Sequence, residues 1–224
     1  KASNYNLLDT SKTTTANISK ADLTATLNDN SKTYDGTSYS GGNGITFNGF
    51  VNGETASLLG GNLVYSGTSQ GAKDAGNYII SGSGLTSNNY NISFVDGKLT
   101  INKKDLTISN ITANNKTYDG TTTATLSNIG TLVGLVTGED LVLNNPTSVI
   151  FSSKDVGDNI DVTASGYTIA DKDSFKASNY NLLDTSKTTT ANIVASVNPT
   201  PTPTPTDNNQ KPKVDEQVQR VVAS

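Results

Sequence analysis

The sequence contains no cysteine, histidine, methionine or tryptophan among its 224 residues. Without cysteine and histidine, the chain has no thiolate nucleophile, no Ser–His or Cys–His catalytic pair and no Cys/His zinc site. Disulfide bonds are excluded as well, so the chain neither requires nor rules out an oxidising compartment. These absences remove most catalytic mechanisms, and we predict that the protein is not an enzyme and uses no cofactor.

Charge and apolar residues are also scarce. Charged residues make up 16% of the chain, and the formal net charge is −4. We predict no nucleic-acid partner, because domains that bind nucleic acid are usually basic. We also predict no membrane span, because no apolar run approaches the roughly 20 residues that a spanning helix needs.

The residues that are present favour β-structure. Threonine, serine, asparagine and glycine dominate, and short runs alternate apolar with polar residues, as in the segment 21–27. Such alternation is typical of half-buried strands, and glycine–asparagine clusters between the runs indicate turns. The predicted fold class is all-β, with small β-sandwich or β-grasp-like domains arranged end to end as a rod.

Internal repeats give the domain organisation. The hexapeptide Lys-Thr-Tyr-Asp-Gly-Thr occurs at Lys32–Thr37 and again at Lys116–Thr121, a repeat of about 84 residues. Residues 1–18 are identical to residues 176–193, which indicates a duplicated unit of about 175 residues. We therefore divide the chain into the tail of a preceding repeat, a first half, a second half, a Pro-Thr linker and a polar tail that is disordered or a short helix (1–18, 19–102, 103–193, 194–206 and 207–224).

Further landmarks recur in both halves. Val-Asn-Gly-Glu at 51–54 corresponds to Val-Thr-Gly-Glu at 136–139, and Asn-Tyr-Asn at 89–91 corresponds to Asn-Tyr-Asn at 179–181. Lys-Asp-Ala-Gly-Asn at 73–77 corresponds to Lys-Asp-Val-Gly-Asp at 154–158. The joint between the halves is short, so we expect limited hinge freedom between two domains that fold independently.

These motifs resemble the MBG-type and YDG-type repeat domains of large secreted bacterial adhesins, including filamentous-haemagglutinin-like exoproteins of two-partner secretion. The first half is similar to the MBG type, and the second half, with its Lys-Thr-Tyr-Asp-Gly-Thr-Thr-Thr segment, resembles the YDG type. The resemblance implies a secreted or cell-surface protein in which these domains occupy repeat regions.

The hexapeptide is interpreted as a structural motif, formed by Tyr34, Asp35 and Gly36 and by Tyr118, Asp119 and Gly120. We expect each tyrosine to pack into a small core, each aspartate to cap a turn and each glycine to take a positive φ. The alternative is calcium or glycan binding at the aspartates, although one carboxylate falls far short of a calcium site with six to eight oxygens.

Three functions remain open on the sequence alone. The favoured one is a stalk or spacer of a secreted adhesin that projects a distal binding region, with neighbouring repeats of the same chain as partners. The second is a glycan- or protein-binding module for a host surface or biofilm polysaccharide, for which an aromatic platform would be drawn from Tyr34, Tyr39, Tyr78, Tyr90, Tyr118, Tyr167 and Tyr180. The third is homotypic assembly through exposed edge strands.

Overall fold

The computed structural model describes residues 1–196. The predicted polar tail and all but the first residues of the predicted linker lie outside these residues. Within residues 1–196 there is no α-helix, and three short 3-10 turns occur at Ala2–Asn4, Ala56–Leu58 and Ala177–Asn179. The prediction of an all-β protein is confirmed.

Eighteen strands follow one another in the described part of the chain, residues 1–196. In the first half they are β1 (Ala21–Leu27), β2 (Asn30–Thr33), β3 (Ile45–Asn48), β4 (Gly60–Ser66), β5 (Gly76–Thr86), β6 (Tyr90–Val95) and β7 (Gly97–Asn102). In the second half they are β8 (Lys104–Ser109), β9 (Thr112–Ala113), β10 (Lys116–Thr117), β11 (Leu126–Asn128), β12 (Thr131–Val133), β13 (Val142–Leu143), β14 (Ser148–Phe151), β15 (Gly157–Ser165), β16 (Ile169–Ala170), β17 (Tyr180–Leu182) and β18 (Ser186–Val194).

The first half consists of two small mixed sheets. One has the strand order β3-β1-β6 and the other β2-β7-β5-β4. Strand β1 shows why the chain folds this way, because Leu23, Ala25 and Leu27 are buried while the residues between them are not. Since side chains alternate across a strand, this pattern gives the sheet one apolar face to bury. Leu27 shares its core with Ile80 and Leu99 of the other sheet.

The second half repeats this arrangement. The sheet β12-β8-β17 corresponds to β3-β1-β6, and the sheet β10-β18-β15-β14 corresponds to β2-β7-β5-β4. The directions agree too, because β1 and β6 are parallel, as are β8 and β17. Two further two-stranded sheets, β11-β9 and β13-β16, are additions of the second half. The repeat seen in the sequence is therefore a repeat of topology.

The two halves share a core, although the sequence predicted independent domains. Only Lys103 separates β7 from β8. One cluster of buried apolar side chains combines Leu99 and Ile101 of the first half with Leu106 and Tyr180 of the second. The expectation of independent folding overlooked this contact, because the alternation within a strand does not reveal which neighbour covers it.

The identical segments 1–18 and 176–193 lie in different environments. In the second half, Tyr180 is 2% exposed and Ile193 is 1% exposed. Their counterparts Tyr5 and Ile18 are 85% and 100% exposed, and residues 1–20 form no strand. The sequence of this segment therefore does not suffice to make it a strand, because a strand needs a sheet that accepts its hydrogen bonds.

Candidate functional site

The first Lys-Thr-Tyr-Asp-Gly-Thr copy closes a turn on itself. Asp35 Oδ1 accepts hydrogen bonds from Lys32 Nζ at 2.7 Å, Thr37 N at 2.9 Å and Thr37 Oγ1 at 2.7 Å. Gly36 lies at φ +75°, where other residues are strained. The hydrogen bond from Lys32 is the main reason that the pKa of Asp35 is lowered to about 2.

The second copy repeats the turn. Asp119 Oδ1 lies 2.7 Å from Lys116 Nζ, accepts from Thr121 N and Oγ1 at 2.9 Å, and has a pKa lowered to about 2, chiefly by Lys116. Gly120 has φ +77°. Oδ1 of each aspartate therefore already contacts a lysine ammonium, which argues against calcium at either turn. Within residues 1–196, no three Asp or Glu side chains group as a metal site.

The two tyrosines of these turns differ in burial. Tyr34 is 3% exposed, whereas Tyr118 is 42% exposed. Their backbones are held alike, since Tyr34 N donates to Asn102 O and Tyr118 N donates to Val194 O, both at 2.8 Å. The interpretation of Tyr118 as a core residue is wrong. Tyr34 is covered in part by Tyr180 of the following half, and Tyr118 has no such aromatic partner within residues 1–196.

Tyr34 reaches across the joint to Glu139. Its hydroxyl donates to Glu139 Oε1 at 2.7 Å, and the hydroxyl of Tyr180 donates to Glu139 Oε2 at 2.6 Å. The two phenol rings meet edge to face, with 5.4 Å between their centroids. Val136 N donates to Tyr180 Oη at 3.1 Å. One carboxylate thus accepts a phenol from each half, and hydrogen bonds to an ionised acceptor are the strong ones.

Burial and the neighbouring carboxylate raise the pKa of both phenols. Burial, reinforced by the hydrogen bond to Glu139, raises the pKa of Tyr34 well above its usual value. The same two causes raise the pKa of Tyr180 to about 12. Ionising either phenol would place a phenolate beside the carboxylate, so both hydroxyls stay protonated over the neutral range.

A second group of contacts lies beside the tyrosines. Asn179 is 2% exposed, its Oδ1 accepts from Ala75 N at 2.8 Å, and its Nδ2 donates to Asp74 Oδ1 at 2.9 Å. Lys176 Nζ lies 2.5 Å from Asp74 Oδ2 and is the main cause of the lowered pKa of that carboxyl. We call this whole set of contacts, with Tyr34, Glu139 and Tyr180, the junction.

The first half carries a matching pair of its own. Tyr90 donates to Glu54 Oε2, and Val51 N donates to Tyr90 Oη at 3.1 Å. These bonds copy those of Tyr180, Glu139 and Val136 atom for atom. Within residues 1–196, however, no phenol donates to Glu54 Oε1, which is the position that Tyr34 fills on Glu139.

The proposed aromatic platform is not exposed. Four of its tyrosines are at most 3% exposed, namely Tyr34, Tyr90, Tyr167 and Tyr180. Tyr39 and Tyr78 are half-buried, so Tyr118 is the one exposed residue among these seven candidates.

Within residues 1–196, no helix is long and apolar enough to cross a membrane.

Sequence reasoning did not identify the partners of Tyr34. In the sequence, Glu139, Asn179 and Asp74 stand out only as members of recurring motifs. The signal was present, because Val-x-Gly-Glu and Asn-Tyr-Asn recur together with the hexapeptide. What the repeats could not show is that the tyrosine of one half meets the glutamate of the next.

Comparisons with known families agree with this division. Residues 23–100 match the MBG domain (YGX type), and residues 102–191 match the YDG domain. No curated protein matched the sequence. The two matches follow one another in the order that the sequence motifs indicated, and together they span both sets of sheets. The chain therefore carries an MBG domain (YGX type) and a YDG domain in tandem over residues 23–191.

Proposed function

We propose that the chain is a spacer segment of a secreted bacterial surface adhesin, which holds a distal binding region away from the cell. MBG and YDG domains are consistent with adhesin-like repeat modules. The secreted location and the stalk role are our proposal, supported by the resemblance to adhesin repeat regions.

The observation that carries the proposal is the core shared by the two domains. A spacer must resist bending, and a joint of one residue alone still permits rotation of the backbone. Here Leu99 and Ile101 of the MBG domain pack with Leu106 and Tyr180 of the YDG domain, and Tyr34 bonds to Glu139 beside them. Rotation about the joint would expose these apolar side chains to water. This exposure costs about 25 cal/mol of free energy for each Å² of apolar surface.

The binding-module alternative receives less support. A glycan platform needs aromatic faces that a sugar can reach, and most candidate tyrosines are buried by neighbouring strands. Two of the buried hydroxyls donate hydrogen bonds to glutamates within the fold, Tyr90 to Glu54 and Tyr180 to Glu139. We therefore propose a mechanical role for the tyrosines rather than a recognition role.

Residual dipolar couplings test the stiffness of the spacer. We expect the amide couplings of residues 21–102 and 104–194 to fit one common alignment tensor. The matched control is a chain with a flexible glycine–serine insertion at Lys103, for which two separate tensors are expected. Two different tensors in the unmodified chain would contradict a rigid spacer.

Surface labelling tests the location. An antibody against residues 103–193 should label intact cells of the source bacterium, and protease added outside the cells should remove the signal. A cytoplasmic protein serves as the control for cell integrity. Labelling only after lysis would refute the secreted location while leaving the stiffness result unaffected.

A further inference from the structure

The Glu54 face of the MBG domain, formed by Val51, Glu54, Asn89 and Tyr90, is built like the YDG side of the junction. Residues Ile18–Ala21 run along it and, with these four side chains and Asn88, line a cleft of about 230 Å³. We propose that this face docks a YDG domain whose last strands are residues 1–18. The docking forms a second junction, in which Tyr118 of that domain bonds to Glu54. The occupant is therefore a YDG domain of this same sequence.

The structure of Glu54 and Tyr90 supports this docking. Tyr90 is 3% exposed and occupies one carboxylate oxygen of Glu54, as Tyr180 occupies one oxygen of Glu139. The other oxygen of Glu139 takes Tyr34 from the preceding domain. Val51 is 46% exposed, while its counterpart Val136 packs in the core shared by the two domains.

The far end of the YDG domain offers the complementary surface. Tyr118 is fixed at the end of β18 by its bond to Val194 O, just as Tyr34 is fixed at the end of β7 by its bond to Asn102 O. A Cβ added to Gly36 would lie 3.1 Å from Val136 Cγ1, whereas one added to Gly120 would meet nothing within 4 Å.

Two more residues complete this complementary surface. Val156, the counterpart of Ala75, is 53% exposed, and Asp155 is the counterpart of Asp74. In the observed junction, Asp74 accepts from Asn179 and Ala75 N donates to the same side chain. We therefore expect Asp155 and the backbone of Val156 to meet Asn89, which stands where Asn179 stands.

Residues 1–18 identify the occupant. They are identical to 176–193, which form β17 and β18 of the YDG domain. Leu7 and Ile18 are at least 73% exposed here. The counterparts of Leu7 and Ile18 are Leu182 and Ile193, which pack in the cores of the YDG domain. Supplying the rest of a YDG domain would bury these side chains and bring its Tyr118 beside Glu54.

The second junction differs from the first in two contacts. Thr86 stands where Lys176 stands, so the ion pair with an aspartate is missing and the contact depends less on salt. Phe50 stands where Leu135 stands and meets the Tyr90 ring edge to face at 5.4 Å. The proposal is independent of the spacer role, since docking and cell-surface location can each fail alone.

Disulfide trapping tests the proposal, and the cysteine-free chain suits it. The protein is the full chain with a copy of residues 19–175 placed before Lys1, so that residues 1–18 complete the added YDG domain. Gly120→Cys in the added copy is combined with Val51→Cys in the original chain. We expect the disulfide to form on mild oxidation.

Two controls bracket this experiment. Gly36→Cys with Val136→Cys in the unextended chain is the positive control, because those positions are in contact across the observed junction. Gly120→Cys placed in the second copy, with the same Val51→Cys, is the negative control. A disulfide in the positive control and none in the extended chain would overturn the proposal, as would equal trapping of both Gly120 positions.

A second measurement needs no cysteine. In the extended chain, Tyr118→Phe in the added copy should increase the unfolding equilibrium constant about tenfold, the effect of losing a hydrogen bond to a charged group. The same substitution in the second copy should leave that constant unchanged. Adding Glu54→Gln should abolish the difference. Equal effects at the two Tyr118 positions would contradict docking, and would indicate that Phe50 fills the space instead.

Discussion

Replacing Tyr34 by phenylalanine removes one hydroxyl group from the junction. The ring stays, and with it the edge-to-face contact with Tyr180 at 5.4 Å. Glu139 keeps its second donor, since Tyr180 bonds to the other oxygen. The substitution therefore isolates the bond between Tyr34 and Glu139 Oε1.

The magnitude follows from burial and charge. A hydrogen bond to a charged group contributes about 1.5–3 kcal/mol to stability. Tyr34 is 3% exposed, so water does not replace its hydroxyl, but Glu139 is only partly buried and water can reach it. This places the expected loss at the lower end, about 1.5 kcal/mol.

Tyr118→Phe is the matched control. It lies in the same hexapeptide and the same turn, but its side chain is 42% exposed and makes no hydrogen bond within residues 1–196. We expect it to change stability by less than about 0.5 kcal/mol, as surface substitutions usually do. Urea unfolding of the full chain, followed by circular dichroism, measures both variants.

Tyr34→Phe should also loosen the coupling between the domains. We expect the unmodified chain to unfold in one transition, because its core crosses the joint. If Tyr34→Phe and Tyr118→Phe have equal effects on the urea midpoint, the assignment of Tyr34 to the junction is refuted. A double-mutant cycle with Glu139→Gln then separates the direct interaction of the pair from indirect effects. Tyr34→Phe should no longer change the free energy of unfolding once Glu139 has been replaced.

Three further predictions use the same chain. Gly36→Ala should destabilise more than Gly120→Ala in thermal melts, because both positions have positive φ but only the first faces the other domain; equal losses would argue against it. The pKa of Tyr180 is raised from 10.0 to about 12, so its contribution to stability is complete below pH 10 and should disappear as the pH rises towards 12. Thermal melting at alkaline pH and ultraviolet titration of tyrosinate measure this, and titration of all tyrosines near pH 10 would contradict it. The pKa values of Asp35 and Asp119 are lowered from 3.8 to about 2, so their contribution to stability is complete above pH 3.8 and is lost as the pH falls towards 2. Replacing both aspartates by asparagine should make the melting temperature depend less on pH in this acid range, and an unchanged dependence would count against the turn geometry.

Much of the fold follows from local patterns. The alternation of Leu23, Ala25 and Leu27 predicted a strand with one buried face, and β1 has that face. The recurring motifs indicated two related halves, and the two halves share their sheet topology. Such predictions succeed because period-two alternation and turn residues act over a few positions.

The candidate site was harder to predict, because its partners come from different halves. Glu139 was visible as a recurring residue, but its bond to Tyr34 joins positions far apart in the chain. Nothing in the local pattern of Tyr118 distinguishes it from Tyr34, and yet one is exposed and the other buried. Burial here depends on the neighbouring domain, which a repeat motif does not encode.

The sequence by itself determined the local turns. Both copies of the hexapeptide form the same lysine–aspartate–threonine network. Ala2–Asn4 and Ala177–Asn179, which are identical in sequence, form the same 3-10 turn although one is exposed and the other is packed. Tertiary structure alone decided the rest: Tyr180 is buried and its identical counterpart Tyr5 is exposed, because only Tyr180 has a sheet to pair with and Tyr34 to cover it.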